Sequence, residues 1–231
     1  MTPTRARSLA SLALASTFLL TGCGSVPGFN PGVAARVGDD TVTVDRVDDV
    51  AESFCGAAEA QLQDGQVLPN HYVRGQVAGS LTLRAVADQL LAEYGVEADG
   101  SYDQAVAQAR ASDQLSQLPT DQQDALVDVQ GAPVYVAAVE LAVGKAILAD
   151  SGTTAPSDEE ATAAGQKAFG AWVDDHDIRV DPQFGVTIEK DQSVVSDTSL
   201  SFADGDVATA ADAADPDTDY AATLPDNQRC G

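Results

Sequence analysis

Aromatic residues are scarce in this 231-residue chain: six Phe, five Tyr and one Trp make up 5% of it. A core with so few rings has to rest on Ala, Val and Leu, side chains small enough to let helices pack closely. Basic residues are scarce too, with 12 Lys and Arg against 36 Asp and Glu and a formal charge of −24. That balance excludes a nucleic-acid binder working through a basic surface, because phosphate contacts draw on Lys and Arg. Histidine occurs only as His71 and His176, each among polar neighbours at a helix edge, and no His-x-x-x-His or Cys-x-x-Cys pair exists. Neither a zinc site nor a general base with converging partners is expected from them. A Gly-x-Ser-x-Gly elbow, a phosphate loop and a dinucleotide fingerprint are likewise missing. Paired acids are so common here that Asp174-Asp175 carries no glycosidase signal. Asp215, Asp217, Asp219 and Asp226 echo a calcium loop, but Tyr220 stands where the turn glycine belongs and Asp226 where a bidentate Glu does. The expectation is a chain without catalysis, cofactor or specific metal.

What is present begins with 44% apolar residues, enough for a packed core in one domain with tails. Arg5 and Arg7 precede an apolar run from Leu9 to Leu20, the length of a signal h-region and too short to span a bilayer. The run ends in Leu20-Thr21-Gly22-Cys23, which looks like a bacterial lipobox. In a lipobox small residues admit the peptidase and the Cys thiol receives a diacylglyceryl group. Residues 1–22 are therefore expected to be a lipoprotein signal peptide and Cys23 the lipidated residue. Several acyl chains, palmitate among them, hold a protein on a membrane where one alone is marginal. The expected place is the extracytoplasmic face of the cell membrane. Gly24 to Gly32 mixes Gly and Pro without periodicity and extends residues 23–32 as a flexible tether.

Two further cysteines, Cys55 and Cys230, stand in a chain expected to be exported, where disulfides form. Cys55 lies on the apolar stripe of a predicted helix, and Cys230 is penultimate in a polar tail that otherwise has no reason to dock. A bond between them would pin that tail and contribute about 4–5 kcal/mol by the chain-entropy model. Two free thiols are the alternative.

Hydrophobic spacing supplies the elements. Ala34 to Val37 and Thr41 to Val44 flank Gly38-Asp39-Asp40, predicting a hairpin. Val47, Val50, Ala51, Phe54, Cys55, Ala58 and Leu62 recur every three or four residues on one helix face. A second helix runs from Pro69-Asn70 to Gly95, with Gly75 and Gly79 weakening it locally or permitting close helix contact. A third is expected from Ser101 to about Gln117, and a fourth from a capping box at Thr120-Asp121-Gln122-Gln123 to about Val129. The fifth, Pro133 to Asp150, is apolar around most of its circumference and is expected to be the central buried helix; Glu140 and Lys145 interrupt it and argue against a membrane span. A capping box at Ser157-Asp158-Glu159-Glu160 opens a sixth, and Ile178 to Val180 reads as a strand completing a small sheet with the hairpin. The fold expected is mainly α, a bundle of about six helices over residues 33–185. Residues 186–231 read as an acidic, mostly disordered tail.

Two short segments carry a resemblance. Val37-Gly38-Asp39-Asp40-Thr41-Val42-Thr43 is similar to the strand-turn-strand lead into the first helix of actinobacterial lipoproteins with a SurA-type N-terminal domain, relatives of the SurA and PrsA envelope chaperones. Val180-Asp181-Pro182-Gln183-Phe184-Gly185 is similar to that family's closing valine-(Asn/Asp)-Pro-Arg-Phe-Gly run, with Gln183 in place of Arg. The resemblance implies a non-enzymatic module that cradles extended or unfolded polypeptide in an apolar groove between helices. Longer relatives insert a parvulin prolyl isomerase before the last helix; here only Gly152 to Pro156 separate Ser151 from Ser157, against about a hundred residues for such a domain. Residual isomerase activity and a scaffold role in an envelope complex are the alternative readings.

Overall fold

The computed structural model describes residues 31–62, 66–196, 204–211, 213 and 215–231. Cys23 and the expected signal peptide lie outside them. The elements below belong to one compact unit, Gly32–Gly231.

The chain opens with β1 (Val33–Val37) and β2 (Asp40–Thr43), antiparallel about Gly38, whose φ of 53° is left-handed. Thr43 ends the hairpin and caps α1 (Val44–Glu59), its hydroxyl accepting from the Arg46 amide at 3.1 Å. The Val47, Val50, Ala51 and Phe54 stripe is buried as its spacing predicts, although α1 stops at Glu59.

After β3 (Leu68–Pro69) comes α2 (Asn70–Tyr94), ended by Gly95 at φ 63°. This is the central helix, packed against β1, α1 and several later elements. Its buried positions circle the axis: Val73, Val77 and Ala78 join one core cluster, Leu83, Val86, Ala87 and Leu90 the other. The buried Thr82 hydroxyl donates to the Ala78 carbonyl at 2.6 Å, so no polar group is orphaned there.

The expected third helix is two, α3 (Ser101–Arg110) and α4 (Asp113–Ser116), because Ser112 turns extended and its hydroxyl caps the second. The expected capping box at Thr120 does not form. Instead α5 (Thr120–Gln130) starts on Pro119, whose ring fixes the backbone without a side-chain cap.

α6 (Ala132–Asp150) is long and apolar enough to cross a membrane by length and composition. It packs within the unit against α2 and α7 (Asp158–Asp175), but it is not the central helix that its composition predicts. Val134 is 45% exposed, and Leu141, Ile147 and Leu148 are only half-buried. Uniform apolarity signals burial without saying on how many sides, and α2, with a polar residue every turn, is enclosed by more neighbours. The capping box at Ser157 and Glu160 forms as its sequence predicts.

A Cβ at Gly144 would lie 1.7 Å from the Ala161 carbonyl oxygen, and one at Gly165 1.8 Å from that of Glu140. The pairings run in opposite directions along the chain, so α6 and α7 are antiparallel and nearly in backbone contact. β4 (Ile178–Val180) then pairs with the free side of β1, Arg36 opposite Arg179, giving the order β2-β1-β4. The two ends of the helical region thus meet in one sheet.

The largest departure from the sequence reading lies beyond Phe184. The segment read as a mostly disordered tail contains the hairpin β5 (Val186–Glu189) and β6 (Gln192–Val195), turning at Lys190-Asp191. It also contains α8 (Asp206–Ala211), α9 (Thr218–Thr223) and β7 (Arg229–Cys230). β7 pairs with β3, Leu68 opposite Cys230, and Cys55 and Cys230 are joined in a disulfide with Cα atoms 5.4 Å apart. Acidity here reflects a solvated outer face, while Ile188, Ala221 and Cys230 face inward and supply the burial that order requires.

Candidate functional site

The second hairpin creates a cleft. α2 forms one wall, and its glycines face β5, β6 and the turn before them: a Cβ at Gly75 would lie 2.6 Å from the Phe184 carbonyl oxygen, one at Gly79 2.0 Å from Ser193 Oγ. The close contact that these glycines permit is therefore with strand and turn, not with another helix. The start of α6 forms the opposite wall, through Pro133, Val136 and Glu140, and Ala211 of α8 closes one end. The space between is about 740 Å³, within the range of ligand sites. Leu83, Val136, Phe184, Val186 and Val194 supply apolar lining, and Gln76, Ser80, Gln130 and Gln166 polar lining.

β6 and the residue after it contribute Gln192 through Ser196. Its pairing with β5 fixes which main-chain groups are used. Glu189 opposes Gln192 across a two-residue turn, Thr187 opposes Val194, and the Ser196 amide donates to Gly185 at 2.9 Å. By antiparallel alternation those residues spend their N–H and C=O groups inside the hairpin, and Ser193 and Val195 turn theirs to the outer edge. Among the described residues no strand pairs with that edge.

Glu140 is the electrostatic feature of the cleft. It is 2% exposed, and one carboxylate oxygen, Oε1, has no hydrogen-bond partner among the described residues. Burial, reinforced by the Asp191 carboxylate and opposed by a hydrogen bond from Gln166, pushes its pKa up to about 7. From the sequence it is only an interruption in an apolar helix. No period or motif marks it, because its burial depends on α7 and the second hairpin arriving from elsewhere in the chain.

The residues weighed for chemistry are scattered. His71 is exposed at the cleft rim, away from His176. His176 stacks on Trp172 with ring centroids 3.8 Å apart, its Nδ1 2.8 Å from the Trp172 carbonyl oxygen, and Trp172 Nε1 donates to Glu93 at 2.8 Å. Asp174 and Asp175 are exposed at the end of α7. Asp217 caps α9 by accepting from the Tyr220 amide, and Asp226 pairs with Arg229. No group of three or more His, Cys, Asp or Glu side chains converges on a metal-sized site among the described residues. Arg84 lies over Tyr135 and Tyr102 and donates to the Tyr102 hydroxyl, while Tyr135 donates to Asp88. That cluster is closed on itself and ties α3 and α6 to α2.

No protein-family model, no curated protein and no solved structure matches this chain.

Proposed function

We propose that this chain is a lipoprotein anchored through Cys23 to the outer face of the cell membrane, where its helical domain binds extended or unfolded polypeptide without catalysis. The observation that carries the reading is the outer edge of β6, unpaired among the described residues, beside an apolar cleft. An exposed strand edge is a template for another strand: Ser193 and Val195 offer main-chain hydrogen bonds to any sequence, and alternate side chains of the guest would enter the cleft. Main-chain recognition is what a chaperone-like module needs, since its clients share backbone and not sequence. The lipobox and the SurA-like segments at 37–43 and 180–185 point the same way.

Two experiments test it. The purified chain should suppress aggregation of a reduced, unfolded client at stoichiometric amounts, and absence of suppression counts against the binding role. The wild-type precursor should partition with membranes and incorporate labelled palmitate, whereas Cys23→Ala should do neither; equal behaviour of the two would remove the anchor.

A further inference from the structure

We infer that Glu140 is the recognition carboxylate of the cleft and that it selects, within the bound polypeptide, a Lys or Arg side chain. The inference rests on the peptide-binding reading and adds the chemistry of the preferred guest.

A buried carboxylate leaves water at a large cost, which proteins normally offset with a cation or a full set of donors. Glu140 has neither. Among the described residues Oε1 is unsatisfied, and the one side-chain donor directed at the group is Gln166. Of the cations in the surroundings, Lys145 is committed to Asp99 and Asp158 and Arg74 to Asp48, and Lys167 and Lys190 are not among the described residues that line the cleft. Among the described residues that line the cleft, two are acids, Glu140 and Asp191, and none is Lys or Arg. The missing partner is therefore a donor brought by the guest, and an ammonium or guanidinium group answers both the charge and the open hydrogen bond. The group is also held in place. α7 lies against its main chain at Gly165, so the carboxylate is presented by a helix that cannot move back without losing that contact. A strand paired on Ser193 and Val195 runs alongside the cleft and can direct one side chain in two toward α6.

Three end-blocked undecapeptides with the same Thr- and Val-rich sequence and a central Lys, Gln or Glu test this by calorimetry on the full chain in mild detergent. The Lys peptide should bind at least tenfold more tightly than the Gln peptide, and the Glu peptide more weakly than both. Glu140→Gln should retain the Gln-peptide affinity and erase the Lys preference. Asp49→Asn, which removes one charge from the acidic face around α1, should keep the preference, separating the site from general attraction by a chain of charge −24. The Lys preference should also grow from pH 5.5 to pH 8.5 as Glu140 ionises. The other titrating or charged groups around the cleft are Asp191 and Lys190 on the hairpin turn, His71 and Tyr72 on α2, and Asp215 near Tyr72. The pH series is therefore run in a His71→Gln background. Equal binding of all three peptides, or an undiminished Lys preference in Glu140→Gln, overturns the inference and leaves peptide binding standing. No binding of any peptide overturns both.

Discussion

Glu140 connects stability to pH through a single proton. Its carboxyl is raised from 4.5 to about 7, so between those values the folded chain holds a proton that the unfolded chain has released. Stability conferred by the protonated group is present at low pH and falls as pH rises through that window, by up to about 3 kcal/mol at 1.36 kcal/mol per pH unit. Glu140→Gln keeps the shape and removes the charge. It should raise unfolding free energy at pH 8 by about 1–3 kcal/mol and flatten the dependence between pH 5 and pH 8. Urea denaturation at a series of pH values checks this, and a variant less stable than wild type at pH 8 would show that the ionised carboxylate is satisfied after all. Binding residues commonly lower stability in this way. The sequence shows the acid but not the cost, because burial arises only when three separate segments converge on it.

At the scale of elements, two glycine contacts separate packing from binding. Gly165→Ala places a methyl group against the Glu140 carbonyl oxygen, backbone against which no rotamer can relieve the clash. It should force α6 and α7 apart and cost about 2–4 kcal/mol in denaturation experiments. Gly79→Ala meets the Ser193 side chain instead. There the helix gains about 1 kcal/mol in propensity while the second hairpin is pushed outward. Global stability should stay within about 1 kcal/mol of wild type, amide exchange across 186–195 should quicken, and peptide affinity should fall. Loss of global stability without faster local exchange would place the hairpin in the main cooperative unit. What was legible at this scale follows from local chemistry. The first hairpin, the α1 stripe, the Ser157 capping box and the pairing of Ile178 to Val180 with β1 could all be read from spacing and turn residues. The second hairpin was missed although Val186 to Glu189 alternates, because Gln192 to Val195 does not and the acidic run downstream made the whole region read as solvated. The identity of the central helix was missed as well, since enclosure is set by how many neighbours arrive and not by composition.

On the scale of the whole unit, the disulfide joins α1 to the last strand across 175 residues. Cross-linking so long a loop restricts the unfolded chain and contributes about 4–5 kcal/mol in the chain-entropy model, less to the extent that β7 and α9 stay docked without it. A Cys55→Ser, Cys230→Ser double variant should melt at a lower temperature, and reductant should lower the melting temperature of wild type but not of the variant. Release of the segment after Asp204 should appear as proteolytic cleavage there before the helices are cut. Identical melting of the two proteins would mean that the docked segment holds without its bond. The central claim is that polypeptide enters along the outer edge of β6. Backbone amide shifts of the isotope-labelled chain, followed while the Lys-containing undecapeptide is added, test it most directly. The account predicts saturable shifts concentrated at Gly75, Val136, Glu140, Ser193 and Val195. Shifts confined to the acidic face around Asp48, Glu52 and Asp121, or no shifts at a large peptide excess, would contradict it.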